Sequence, residues 1–389
     1  KNSDYLHQLF IDVTIISIEL NGTEIYNTEW NGYDNLSEML KLQHFTYATL
    51  QVHPLFNGGT GSLNDPYKIA NERNLNNLRY CTSSYNSETY IYGNFKLVSS
   101  ITLSKNWEPI PYRFSGTFDG GHYSIHNMKI VIPALNASSN SSYGLFSNVS
   151  GTIKNLNMHS VSITKSTQGY SDIAISVGAI AGYLNGGTIT QCMVYGSIDV
   201  MYPEAFVGGV VGNAYLGYSG TISSCVNSIS IKGCGTLGGI AGFAYASRTS
   251  SAGIISCDNL SLGTIYLYRG DPNYDREQSK LNCAGGIVGH ANNILIKYCS
   301  NYVSVRWAET QVIDSDQLNP SLGRIVGYAS STVQLESCSA KGKVDKGNLQ
   351  SPYKYGFLWL SKYYQDQYVD VDGKSQGEQY IGFKEGVNS

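Results

Sequence analysis

Charge is scarce in this chain. Asp, Glu, Lys and Arg make up 14% of its 389 residues, against roughly a quarter in ordinary soluble proteins. The net charge of −3 and the lack of any Lys/Arg cluster leave no electrostatic footprint for nucleic acid. Long apolar runs are missing too: residues 10–20 are broken by Asp12 and Glu19, and nothing reaches the roughly 20 residues of a membrane span. Neither Cys-x-x-Cys nor His-Glu-x-x-His occurs, so no zinc site is expected and no metal or cofactor is assigned. A hydrophobic content of 42% excludes a disordered chain. The polar surface must then come from uncharged groups, among them many of the 31 tyrosines.

What is present in abundance is one phrase. It reads Gly178-Ala-Ile-Ala-Gly182, Gly208-Gly-Val-Val-Gly212, Gly238-Gly-Ile-Ala-Gly242, Gly285-Gly-Ile-Val-Gly289 and Gly323-Arg-Ile-Val-Gly327. A second phrase trails each copy, an aliphatic residue three positions before a cysteine: Ile189/Cys192, Ile222/Cys225, Ile254/Cys257, Ile296/Cys299 and Leu335/Cys338. A weaker copy, Tyr143-Gly-Leu-Phe-Ser147 with Ile153 and Leu156, precedes them. Two phrases in fixed order define six repeats over residues 141–345, the signature of an all-β solenoid in which each repeat pairs with the next. Leu145, Ile180, Val210, Ile240, Ile287 and Ile325 should stack inside it, and the aliphatic–cysteine pairs should form a second internal ladder. On a straight strand, residues three apart face opposite ways, so a corner is expected between each aliphatic residue and its cysteine. The five cysteines are read as buried, reduced, small apolar side chains.

Residues 1–56 are a separate segment, read as a ββαβ unit or docking arm. Residues 10–20 and 23–30 flank the hairpin dipeptide Asn21-Gly22, a helix starts near Asn35, and residues 45–52 form another strand. The chain begins at Lys1 without a signal-peptide pattern, and a processed or trimmed product is expected. Residues 57–348 form the repeat domain. They open with a strand at Tyr67–Ile69, a short helix over residues 71–80 that could cover one end, and a first full strand over 90–103. Residues 349–389 leave the pattern, and Phe357-Leu-Trp-Leu360 with its neighbouring tyrosines suits an aromatic cap over the last repeat.

The run Phe114-Ser-Gly-Thr-Phe-Asp-Gly-Gly-His-Tyr-Ser-Ile-His-Asn-Met128, followed by the glycine phrases, resembles the GLUG-repeat family of bacterial secreted and surface proteins over roughly residues 57–345. That family usually reads Asp-Gly-Asn-Gly-His-Thr-Ile where this chain has Asp119-Gly-Gly-His-Tyr-Ser-Ile125, so nothing attached to the family histidine is carried onto Tyr123. The resemblance implies a right-handed parallel β-helix, with a small α+β N-terminal segment and a C-terminal cap in this chain. It also implies an extracellular, cell-surface location and kinship with adhesin-like proteins and the non-catalytic parts of IgA-type metallopeptidases.

Setting the repeats in register isolates what does not repeat. Extra residues enter at 262–280 and 303–319, at one point of the repeat, and should emerge side by side. They carry charge and aromatic rings together: Tyr266, Tyr268, Arg269, Asp271, Tyr274, Asp275, Trp307, Glu309 and Asp314 are the candidate ligand-binding residues. Shorter excursions at 213–220 and 243–253 leave from another corner. No catalytic residue is assigned. The first reading is a non-catalytic binding module or rigid stalk that recognises a glycan or a host or partner surface protein through these loops. A surface filament or layer subunit joining end to end by strand addition is the second. A polysaccharide lyase or hydrolase built on paired carboxylates is the third. Solvated loops without a ligand weigh against the binding and catalytic readings, and Arg269-Gly-Asp271 is read as a turn rather than a recognition tripeptide. Replacing Trp307 and Tyr274 by Ala is expected to abolish binding and spare the fold.

Overall fold

The computed structural model describes residues 18–20, 23–26, 55–85, 88–135, 141–165, 173–247, 252–260, 263–268, 282–308, 321–345 and 381–384. Among these residues the chain is nearly all strand, with one short α-helix at Glu72–Asn76. Ile18–Leu20 and Thr23–Tyr26 pair antiparallel around Asn21-Gly22, as that dipeptide suggests. The helix near Asn35, the strand at 45–52 and the aromatic cap around Phe357 lie outside the described residues.

The repeat body begins at Phe56, whose ring stacks on Tyr67 at 4.7 Å and meets Phe95 edge-on at 5.6 Å. Asn71 caps Glu72–Asn76, its side chain accepting from the Asn74 amide at 2.9 Å. Leu75 and Leu78 project from this helix and its 3-10 continuation, Asn77–Tyr80, into the core, fully buried. The single strand expected over 90–103 is instead three, Glu88–Ile91, Asn94–Leu97 and Ile101–Thr102. Gly93 breaks the run at φ 118°, a left-handed backbone that L side chains disfavour.

From Ile110–Phe114 onward, successive repeats pair in parallel and in register within a 16-stranded and a 17-stranded sheet. In one sheet Ile130, Ile163, Ile198, Ile231, Ile265, Val305 and Val344 form a single row. In the other, Ala181, Val211, Ala241, Val288 and Val326 do so, as do Ile153, Ile189, Ile222, Ile254, Ile296 and Leu335. Burial alternates along many of the strands, as in Thr264–Leu267 with Ile265 and Leu267 inside, the period-2 pattern a strand imposes; in Asn157–Lys165 the alternation slips by one residue between Met158 and Val161, where Ser160 takes φ 56°.

The corner expected between aliphatic residue and cysteine is present, and it has a backbone cause. Asn155, Gln191, Ser224, Ser256, Tyr298 and Ser337, each just before the leucine or cysteine, all take φ between 51° and 54°. One left-handed residue per repeat turns the chain so that both flanking side chains point inward. Such a conformation costs a non-glycine residue on the order of 1 kcal/mol or more, offset by burying two side chains. The cysteines are free and buried. Each thiol lies near two carbonyls, that of the residue two before it and that of the aliphatic residue one repeat earlier, as with Cys257 at 3.4 Å from Ile255 and 3.5 Å from Ile222.

The glycines of the main phrase serve close approach rather than a positive φ. A Cβ on Gly242 would lie 2.5 Å from the Val207 nitrogen, and one on Gly327 would lie 2.6 Å from the Ala284 carbonyl carbon. The second glycine has a further role that follows the cysteine phrase. Gly209, Gly239 and Gly286 abut Asn227, Asn259 and Asn301, where an added Cβ would overlap the amide. These three asparagines stack in a fully enclosed ladder. Asn227 Nδ2 donates to Asn259 Oδ1 at 2.8 Å, and Asn259 Nδ2 donates to Asn301 Oδ1 at 3.1 Å and to the Gly286 carbonyl at 2.7 Å. Where the second glycine becomes Ala179 or Arg324, the corresponding residue two past the cysteine is Val194 or Ala340.

At the far end, Ile381–Lys384 adds to the last repeat, pairing parallel with Val326–Glu336 through Val326↔Ile381 and Tyr328↔Phe383.

Candidate binding surface

Length variation concentrates at one edge. Each repeat leaves the row Ile130–Val344 and rejoins the sheet at the row Tyr143, Val177, Val207, Leu237, Ala284 and Leu322. The crossing is tightest between Ile231 and Leu237, where Gly235 turns with φ 107°. It is longest between Ile265 and Ala284, followed by Val305 to Leu322. The ends of these two long insertions are adjacent: Thr264–Leu267 pairs with Ser304–Trp307, and Cys283–Gly285 pairs with Ser321–Gly323. The insertions are therefore shorter than their spacing implied. Residues 264–267 and 304–307 are ordinary ladder strands, and the true excursions start after Tyr268 and Ala308.

This shift decides the candidates. Trp307 is 2% exposed and packs in the core as the inward partner of Leu267. Its place in the binding list is corrected: strand alternation turns it away from the surface that Tyr266 faces. Tyr266 and Tyr268 are half-buried on the outer side. The Tyr266 ring lies between the Lys232 ammonium and the Arg306 guanidinium, each 6.0 Å from its centroid. Arg306 is exposed and held by Asp345 at 2.9 Å. A row of Asp199, Lys232, Tyr266, Arg306 and Asp345 thus crosses the root of the insertions on successive strands. Arg269, Asp271, Tyr274, Asp275, Glu309 and Asp314 lie outside the described residues.

The second variable corner follows Val211–Tyr215 and Ala241–Tyr245, and its excursions begin at Leu216 and Ala246. Beside it stands a group of packed rings. Tyr215 stacks on Tyr245 at 4.8 Å, Phe243 packs on His290 at 4.5 Å, and His290 meets Tyr328 edge-on at 4.9 Å. Tyr183 shares a 3.4 Å hydrogen bond with Tyr245, and burial pushes its phenol well up. Burial also holds the His290 imidazole down to about 4. His290 was missed because the residue after the closing glycine of each phrase varies: Tyr183, Asn213, Phe243, His290, Tyr328. His122 and His126 do not form a pair. His122 sits in a turn at φ 62°, while the His126 ring stacks on His159 at 5.3 Å and His159 on Tyr195 at 4.7 Å.

No family model matches the chain, and no curated protein matches it. A solved structure that it resembles is the crystal structure of a putative immunoglobulin A1 protease from Bacteroides ovatus, at TM-score 0.50 and 20% identity, over 77% of this chain and 88% of that one. At that identity the likeness concerns fold. What the two together define is an all-β chain with large parallel sheets, similar in fold to that protein. Among the described residues no helix is long and apolar enough to cross a membrane.

Proposed function

We propose that this chain is a right-handed parallel β-helix of the GLUG-repeat type, a non-catalytic part of a secreted or surface-attached bacterial protein. It recognises a glycan or a partner surface protein through the edge where the insertions at 269–281 and 309–320 leave the sheet. The observation that carries this reading is the adjacency of the two insertions, whose flanking strands pair on both sides, with Tyr266 flanked by two cations at their root. The in-register parallel pairing of successive repeats supports the helical coil, and the likeness to the Bacteroides ovatus structure supports the same fold.

Replacing both insertions by the tight crossing used between Gly233 and Thr236 tests it. The expected result is an unchanged unfolding midpoint with loss of binding on a glycan array and to host cells. Full binding by the trimmed chain would remove the loops from the reading. A second reading, a structural subunit joined end to end, draws support from the strand that Ile381–Lys384 adds to the last repeat. Sedimentation at micromolar concentration separates the two.

A further inference from the structure

The residues that meet at the far end share a pattern. At the positions paired across the second sheet, the last five repeats read small or branched aliphatic, glycine, then a variable residue that is mostly a ring: Ala181-Gly-Tyr183, Val211-Gly-Asn213, Ala241-Gly-Phe243, Val288-Gly-His290, Val326-Gly-Tyr328; the weaker first copy has Phe146-Ser147-Asn148 there. The added strand reads Ile381-Gly382-Phe383, and its pairing sets Ile381 on Val326 and Phe383 on Tyr328, bracketing Gly382 against Gly327. The glycine is what makes the coincidence specific. In the earlier copies a Cβ at this position would press on the backbone of a neighbouring strand, at 2.5 Å for Gly242 and 2.6 Å for Gly289 and Gly327. The aliphatic position is equally constrained, since Ala181, Val211, Ala241, Val288 and Val326 are all fully buried. Period alone hides this copy, because the stretch from Val326 to Ile381 is longer than that between any two successive earlier copies.

We propose that Ile381–Lys384 is a partial seventh repeat that seals the strand-accepting edge of Val326–Ala329. When it is displaced, the edge takes up the same segment from a second copy of this chain. Displacing that strand removes the partner that Val326–Ala329 has in Ile381–Lys384, and an open sheet edge is the kind that recruits another chain. Tyr355-Gly356-Phe357 is the other glycine–phenylalanine step in the C-terminal segment. Its tyrosine stands where the five glycine-bearing copies bury a small or branched aliphatic side chain, so it serves as the internal control.

The test compares full-length Gly382→Val with full-length Gly356→Val by hydrogen exchange and sedimentation velocity. Gly382→Val is expected to speed exchange at residues 326–329 on the order of a hundredfold and, mixed with the unaltered chain, to form a concentration-dependent complex in which the unaltered segment fills the opened edge. Excess synthetic peptide spanning residues 378–385 should reverse both effects, while Gly356→Val changes neither. Retained protection at Ile189 and Ile222, several repeats away, marks the change as local. Unchanged exchange at 326–329 in Gly382→Val, or the same loss in Gly356→Val, overturns the seventh-repeat assignment. Faster exchange in Gly382→Val with no complex formed in the mixture with the unaltered chain overturns the uptake from a second copy. If protection falls throughout the molecule, the unaltered chain decides. Incorporation of the labelled peptide, but not of a scrambled one, upholds the proposal, and its failure to incorporate overturns it.

Discussion

Asn259 occupies the middle of the buried amide ladder, and its replacement by Ala is the sharpest probe of how the repeat interior is built. The side chain accepts from Asn227 and donates to Asn301 and to the Gly286 carbonyl, all in a space closed to water. Truncation leaves the Asn227 amide without that acceptor and the Gly286 carbonyl without that donor, while Asn301 Oδ1 keeps the Val303 amide at 3.1 Å. Two buried polar groups stranded at about 1–3 kcal/mol each give a loss of about 2–6 kcal/mol. Cys257→Ala is the matched control. It lies two residues earlier, is equally buried, and gives up a small side chain worth roughly 1 kcal/mol. Urea unfolding followed by circular dichroism compares the two. Hydrogen exchange in the neighbouring repeats guards against the loss of cooperativity that repeat arrays can show. An Asn259→Ala cost no greater than that of Cys257→Ala would refute the view that the amide ladder is a structural spine.

Trp307→Ala should cost about 3–5 kcal/mol as a core truncation, whereas Tyr266→Ala, on the outer side of the adjacent strand, should cost under about 1 kcal/mol; thermal melts distinguish them. His290 makes stability pH-dependent. It stays neutral in the fold down to about 4 but protonates near 6.5 when unfolded, so the unfolded state binds more protons between those values and stability falls as pH drops through them. The loss is about 2 kcal/mol by pH 5, and it should vanish from the difference between urea midpoints at pH 7 and 5 in His290→Phe. Burial raises the thiols of Cys192 and Cys257, and those of Cys81 and Cys283 to about 12. Cys192, Cys257 and Cys283, all fully buried, should resist a thiol reagent in the native protein and react once urea is added; rapid native labelling of Cys192 or Cys257 would contradict the sealed ladder.

The repeat body was legible because its determinants are local and recur. Gly242 and Gly289 stand where backbones nearly touch, and the spacing of Ile222 and Cys225 already required the bend that Ser224 makes with its left-handed backbone. Trp307 was misplaced for a physical reason. Once a strand's end was taken for a loop's beginning, its alternation was lost and a core indole was read as a surface one. The amide ladder escaped notice because an asparagine two past a cysteine has no meaning until the second glycine of the phrase is seen to lie against it. The seventh copy escaped because an insertion had stretched the period beyond recognition.

The geometry of parallel, in-register strands argues for where such a chain can carry specificity. Adjacent strands lie roughly 4.8 Å apart, so outward rings at equivalent positions fall on one another, as Tyr215 does on Tyr245 and His159 on Tyr195. Stacked in this way they spend their flat faces on each other and present edges to solvent, which leaves little for a sugar ring or a partner's side chain to cover. A ring gains a free face only where the register breaks or where its neighbours on the ladder are not rings. Tyr266 has no ring beside it on the ladder, but Lys232 and Arg306 stand over it instead, which leaves the crossings that follow Tyr268 and Ala308 as the place to look. The same regularity that makes the interior readable therefore disqualifies most of the exterior as a recognition surface and directs the search to the edge where the repeats differ most.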